Sequence, residues 1–213
     1  MESFVAALDA ASATRLASLA PLVTTRAGDP SDLHAMLQIA LANEISVSEL
    51  AARWMPTTPE LDVKLGFARQ AGDEAGHFQL VASRLAALGF DASAFVPPPA
   101  NPLFAYLSGI ESTVERVAAG LYALESIAYA VNETFMAYCG ARGDAETVRI
   151  YEAYIQVDER AHHELGKRLL AKYAVTPAAQ AAARATVDRV FDLAAATRAA
   201  AATRTGLACF PGC

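Results

Sequence analysis

Two short segments of this chain repeat one pattern, Asp-Glu-x-x-His: Asp73-Glu74-Ala75-Gly76-His77 and Asp158-Glu159-Arg160-Ala161-His162. On a helix, a glutamate and a histidine three residues apart share one face, so both can reach a single cation. One such pair is a common accident of a helical surface. The duplication carries more weight, because each motif is preceded by an isolated carboxylate in an apolar face. Glu44 stands 30 residues before Glu74, among Leu37, Leu41, Val47 and Ala51. Glu125 stands 34 residues before Glu159, among Leu121, Tyr122, Ala128 and Tyr129. Carboxylates buried there without partners would be costly. Two divalent cations would neutralise four carboxylates and give every one a ligand. The expected metal-binding and reactive set is therefore Glu44, Glu74, His77, Glu125, Glu159 and His162, a Glu from each of two helices and a Glu-x-x-His from each of two more.

The elements that must hold this set read as helices throughout. Asp29-Pro30, Thr58-Pro59, Asn101-Pro102 and Thr176-Pro177 each put a capping side chain before a proline suited to a first helical turn. Asp144 follows the turn Gly140-Ala141-Arg142-Gly143 as a fifth cap. These boundaries predict helices over 30–54, 59–88, 102–140, 144–172 and 177–204, with an N-terminal helix over 2–26 bent or broken at Pro21. Apolar residues recur at helical spacing and no strand-like alternation appears, so the class is all-α. Short connections make the first two helices antiparallel neighbours, and likewise the next two. Between the pairs lies proline-rich Gly89 to Asn101. Its residues, extended, span about 43 Å at about 3.3 Å each. A helix of about 28 residues is about 42 Å long, so the linker can cross a whole bundle. One domain over 1–213 is expected, with its core at 30–172.

The ligand types, their order and their spacing resemble the ferritin-like di-metal carboxylate superfamily. That group includes bacterioferritins, rubrerythrins, the small subunit of class I ribonucleotide reductase and bacterial diiron monooxygenases. The resemblance spans helices 30–172, about two thirds of the chain. It implies a ferritin-like four-helix bundle with one long crossover, to which this chain adds N- and C-terminal helices. It also implies two metal ions, iron by preference and manganese as the alternative. Glu44 and Glu125 would be terminal ligands, His77 and His162 would each bind one metal, and Glu74 and Glu159 would bridge. Asp73 and Asp158 would hydrogen-bond the outer ring nitrogens of the histidines, across the pair. Tyr122 and Tyr129 would line the pocket or serve as core aromatics.

Within that superfamily some members fit poorly. A reductase small subunit is much longer and carries a radical-forming tyrosine about two helical turns after the first motif, where Val81 stands here. The four-cysteine site of a rubrerythrin is missing. The two extra helices suit an O₂-dependent diiron oxidase or monooxygenase acting on a small organic substrate, with a docking face for a reductase. A ferroxidase or iron-storage protein of bacterioferritin type is the alternative, followed by a di-manganese protein or a metal-binding subunit without its own turnover. A homodimer or small oligomer is expected.

The remaining residues set limits. His163 points about 100° away from His162 around the helix and belongs at the surface or behind the ligands, while His34 is expected to be exposed. Asn132, Glu133 and Glu152 would line a polar access route or a solvated helix face. Cys139, Cys209 and Cys213 have no paired spacing of a metal ribbon; Cys139 reads as a small apolar residue near a helix end, and the last two as parts of a flexible tail. A net charge of −6 argues against a nucleic-acid surface. The opening Met1-Glu2-Ser3-Phe4 lacks a basic leader, and the uncharged stretch Ala92 to Ile110 holds Pro97, Pro98, Pro99 and Pro102. A cytoplasmic protein without membrane contact is the expectation.

Overall fold

The computed structural model describes residues 3–19, 30–207 and 209–212. Every regular element among them is helical: α1 Phe4–Leu19, α2 Pro30–Thr57, α3 Leu61–Ala87, α4 Pro102–Ser108, α5 Thr113–Val117, α6 Glu125–Gly140, α7 Ala145–Ile150, α8 Gln156–Tyr173 and α9 Pro177–Thr205, with a 3₁₀ turn at Ala92–Ala94. Two π-helical turns complete the rods. Ala118–Leu124 joins α5 to α6, and Tyr151–Ile155 joins α7 to α8, with helical backbone angles kept at every junction. No described helix is long and apolar enough to cross a membrane. The expected cap at Asp29 and the expected bend at Pro21 lie outside the described residues.

Three of the expected caps form as the local chemistry requires. Asn101, Asp144 and Thr176 accept from the backbone N–H of Phe104, Thr147 and Ala179, each three residues on. Thr58 does not cap α3; its hydroxyl turns back and donates to Trp54 O at 2.8 Å, closing the end of α2 instead. The helix expected over 102–140 is broken between Ser108 and Thr113. Arg116 holds this corner, its Nε donating to Ile110 O at 2.9 Å and its NH1 to Thr57 Oγ1 at 2.9 Å and Thr58 Oγ1 at 3.2 Å. One buried arginine thus satisfies oxygens that no helix serves.

Side-chain pairs fix the directions of the rods. Ser48 on α2 donates to Ala71 O on α3 at 2.8 Å, and Trp54 meets Phe67 with ring centroids 5.3 Å apart. Residue numbers rise on one helix as they fall on the other, so α2 and α3 are antiparallel. Along α3 and the α7–α8 rod the same rule holds: Arg84 reaches Asp144 at 2.7 Å, His77 reaches Asp158 at 3.3 Å, and Lys172 reaches Asp62 at 2.7 Å. The chain between α3 and α5 crosses from one end of this assembly to the other. Phe95 packs on Phe78 near the middle of α3, and Thr113 donates to Glu60 at the far end, 2.7 Å away. The extended linker covers only part of that distance and α4 completes it.

The interior consists of two apolar clusters. One gathers Leu50, Trp54, Phe67, Leu121 and Leu169, and α1 and α9 add Leu8, Val187 and Phe191 to it. The other gathers Leu37, Leu41, Val81, Leu85, Phe135 and Tyr151. On α2, α3 and the α7–α8 rod the sequence passes from one cluster to the other through a buried glutamate, whereas on the α5–α6 rod the first cluster runs past Glu125 to Val131 and the second begins at Phe135. The tail expected to be flexible is docked instead: Cys209, Phe210, Pro211 and Gly212 are buried. Gly212 N–H donates to Asn132 Oδ1 at 2.8 Å. A Cβ at Gly212 would lie 2.6 Å from the Cα of Ala128, so only glycine lets the tail approach α6 this closely.

Candidate metal centre

All six residues of the expected set converge in the layer between the two clusters. Glu44, Glu74, Glu125 and Glu159 have no exposed surface, and His77 and His162 keep 2 % each. They form two groups that can each hold a metal ion, Glu44–Glu74–His77–Glu159 and Glu74–Glu125–Glu159–His162, with one ligand atom from each member lying within 4.8 Å of the others. Glu74 and Glu159 belong to both groups. The duplicated motif therefore brings its two glutamates to the centre and its two histidines to the flanks.

The histidines are oriented by crossed contacts. His77 turns Nδ1 toward Glu74 Oε2 at 3.2 Å and Glu44 Oε2 at 3.4 Å, and Nε2 toward Asp158 Oδ2 at 3.3 Å. His162 turns Nδ1 toward Glu74 Oε1 at 3.4 Å and Glu125 Oε1 at 3.5 Å, and Nε2 toward Asp73 Oδ2 at 3.0 Å. An Nε2–H donating to the aspartate leaves the Nδ1 lone pair facing the glutamates, which is the tautomer a cation requires. Each aspartate thus serves the histidine of the other motif.

The electrostatics fit cations. Burial pushes Glu44 up to about 8 against the pull of His77, and it pushes Glu159 well above the carboxylate range with Glu125 and Glu74 adding to the effect. Burial also acts on Glu74, but His162 and His77 outweigh it and hold that carboxylate well below its usual value. Both histidines resist the downward pull of burial and rise to about 11, His77 through Glu44 and Glu74, His162 through Glu125 and Glu74. Protons on Glu44 and Glu159 and imidazolium charge on both histidines thus stand where cations would. Among the described residues, Oε1 of Glu44, both oxygens of Glu159 and Oε2 of Glu125 are sealed from solvent with no hydrogen-bond partner. Acceptor atoms left so are expensive unless a cation takes them.

Other residues fall to either side of the expectations. Tyr122 is buried, but its hydroxyl donates to Asp9 of α1 at 2.7 Å and so faces away from a pocket role. Tyr129 is 37 % exposed. His163 is half-buried behind the six-residue cluster, its Nδ1 2.9 Å from Tyr122 O and its ring 4.9 Å from the Tyr122 ring. A π turn loosens the helical ladder and frees carbonyls for such side chains. His34 is half-buried, not exposed. Glu133 and Glu152 lie on solvated faces, and Glu133 accepts from Gln156 at 2.9 Å. Cys139 and Cys209 are buried free thiols, and Cys213 lies outside the described residues.

Gln70 escaped the sequence reading. Its amide donates to Glu125 Oε1, one helical turn before Glu74 on the same face of α3; that spacing was the available signal. An open depression of about 520 Å³ leads to the histidine side, bordered by Gly72, Asp73, Gly76, His77 and Asp158. Cβ atoms at Gly72 and Gly76 would meet nothing within 4 Å, so these glycines leave the approach open. Against known proteins, the chain matches no family model, no curated protein and no solved structure.

Proposed function

We propose that the protein is an O₂-dependent diiron carboxylate oxidase or monooxygenase on a ferritin-like four-helix bundle, acting on a small organic substrate as a homodimer or small oligomer. The bundle would consist of α2, α3, the α5–α6 rod and the α7–α8 rod, with the crossover through α4. The observation that carries the reading is the pair of overlapping four-residue groups sharing Glu74 and Glu159. Carboxylates shared by both groups would hold two metals close enough to act on one molecule, and histidine on each side suits iron better than calcium. Bound iron would supply electrons and a site for O₂ activation. The chain's own part is to orient His77 and His162 through Asp158 and Asp73, to neutralise the charge of the metals, and to keep the layer dry between its two apolar clusters.

The added helices favour an oxidase over a storage protein. α1 and α9 pack onto the first apolar cluster, and α9 walls cavities beside α2 and α6. One feature favours the ferroxidase alternative: Asp73 and Asp158 border the open depression, where carboxylates would guide Fe²⁺ inward. Aerobic addition of Fe²⁺, followed by iron-to-protein ratio and native mass, separates the two. A particle of a few chains that stops at about two irons per chain, the number that a two-metal site holds, supports the oxidase. Continued uptake into a large shell overturns it, and a ratio near zero removes both readings.

A further inference from the structure

Two adjoining cavities lie beside α2 and α6, the helices that carry Glu44 and Glu125. The inner one, about 80 Å³, is walled by Leu103, Phe104, Leu124, Ile127 and Phe210. The outer one, about 360 Å³, opens between Pro98–Pro102, α2 and the end of α9. Ile39, Asn43, Asn101, Phe104, Thr197 and Ala201 border both. Asn43 and Leu124 are the chain neighbours of Glu44 and Glu125, so the inner cavity lies against the helix turns that present those carboxylates.

This apolar chamber contains a charge without a counterpart. Arg198 lines it, and its NH1 donates to Phe210 O at 3.1 Å, tying the C-terminal tail to α9. That bond accounts for one nitrogen only. Among the described residues, NH2 of Arg198 and the hydroxyl of neighbouring Thr197 are sealed from solvent with no hydrogen-bond partner. Burial pulls the guanidinium down to about 10, which leaves it cationic at neutral pH. No carboxylate pairs with it among the described residues. Guanidinium N–H groups left unpaired at low dielectric are costly. The guanidinium fork matches a planar carboxylate, and the apolar walls suit a hydrocarbon attached to it.

We propose that this cavity binds an aliphatic carboxylate, its head on Arg198 and Thr197 and its hydrocarbon along Leu124, Ile127 and Phe104. The inner chamber takes the head and the first carbons, and the outer one takes the rest of a medium-length chain. The proposal deepens the oxidase reading and rests on it for the name of substrate; the binding itself does not depend on metal.

Octanoate, 1-octanol and the protein as purified provide the test, with calorimetric titration as the readout. Octanoate should bind more tightly than octanol. Arg198→Gln should weaken octanoate by about 10–100-fold, the worth of a charge-assisted hydrogen bond, while leaving octanol unchanged. Arg198→Lys, which keeps the charge, and Thr197→Val should each weaken it less, and they keep the test alive if the glutamine variant does not fold. A Glu74→Ala variant should bind octanoate as the parent does. Equal affinity for octanol, an unaffected Arg198→Gln, or no octanoate binding would overturn the proposal. Binding lost in Glu74→Ala but kept in Arg198→Gln would place the carboxylate on the metal cluster and overturn it as well. Octanoate binding by protein that neither holds iron nor consumes O₂ would leave the carboxylate site standing and remove the oxidase reading.

Discussion

Asp73 belongs to the first motif but serves the second: its Oδ2 lies 3.0 Å from Nε2 of His162, across the seam between α3 and α8. Asp158 makes the reciprocal contact with His77 at 3.3 Å. This crossing makes a specific prediction. Asp73→Ala should weaken metal binding on the His162 side by about 10–100-fold and spare the His77 side, since losing the group that orients a ligand histidine costs that much. Anomalous diffraction from crystals grown at limiting metal would report the two occupancies separately. A loss at the His77 position instead would mean that each aspartate serves its own helix.

Metal binding should also appear as stability. Four buried carboxylates converge in one layer, and cations that bind only the folded chain stabilise it by about 2.7 kcal/mol at a hundredfold excess over Kd. Fe²⁺ added without oxygen should therefore raise Tm. Glu74→Ala and Glu159→Ala should each abolish that rise, because each removes a member of both groups. His163→Ala should keep it, while lowering the starting stability by about 1 kcal/mol for the lost bond to Tyr122 O. A His163 variant that no longer responds to metal would make His163 a ligand.

What was readable in the sequence divides along physical lines. The convergence of the six side chains could be read because metal chemistry demands particular residue types at fixed helical spacing, and the two motifs state that demand twice. Caps at Asn101, Asp144 and Thr176 could be read because a cap is satisfied within three residues. Thr58 misled because its hydroxyl had a competing local acceptor, Trp54 O. The corner before Thr113 carries local break signals in Gly109 and Ser112, but the contact that holds it is not local: Arg116 donates to Ile110 O and reaches back to Thr57. The π turns left no mark in the apolar pattern. Arg198 and its cavity exist only where α2, α6, α9 and the tail meet, so no local pattern announces them.

Gly166 marks a close approach of α8 to the backbone of the neighbouring rod. A Cβ there would lie 2.6 Å from both the carbonyl carbon and the oxygen of Leu121, inside the π turn that leads to Glu125. Backbone cannot swing aside as a side chain can. Gly166→Ala should therefore destabilise by about 1–3 kcal/mol, although alanine favours a helix. It should also loosen metal binding, because the displaced turn carries Glu125 with it. Gly76→Ala, where a Cβ meets nothing within 4 Å, is the matched control and should be neutral or slightly stabilising. Urea denaturation of the pair measures the contrast; equal stability would mean that the two helices do not touch at Gly166.

The docked tail supplies the last prediction. Phe210 is 3 % exposed and belongs to the second apolar cluster, and its carbonyl accepts from Arg198 while Gly212 N–H donates to Asn132. A segment held this way contributes to the core although it lies at the end of the chain. Phe210→Ala should cost about 3–5 kcal/mol, the range for a buried phenylalanine. It should also enlarge the inner cavity, of which Phe210 forms a wall. The second effect separates docking from general stability. In the alanine variant, octanol should bind more tightly than in the parent, because the enlarged chamber offers more apolar surface. Gly212→Val should work differently, since its side chain has no space between Val131 and Ala128 and would expel the tail as a unit. Limited proteolysis should then cut the Gly212→Val protein near Gly206, whose backbone is left-handed at φ 71°, while the parent stays intact. A parent chain cleaved there as readily would show that the tail does not hold its place in solution.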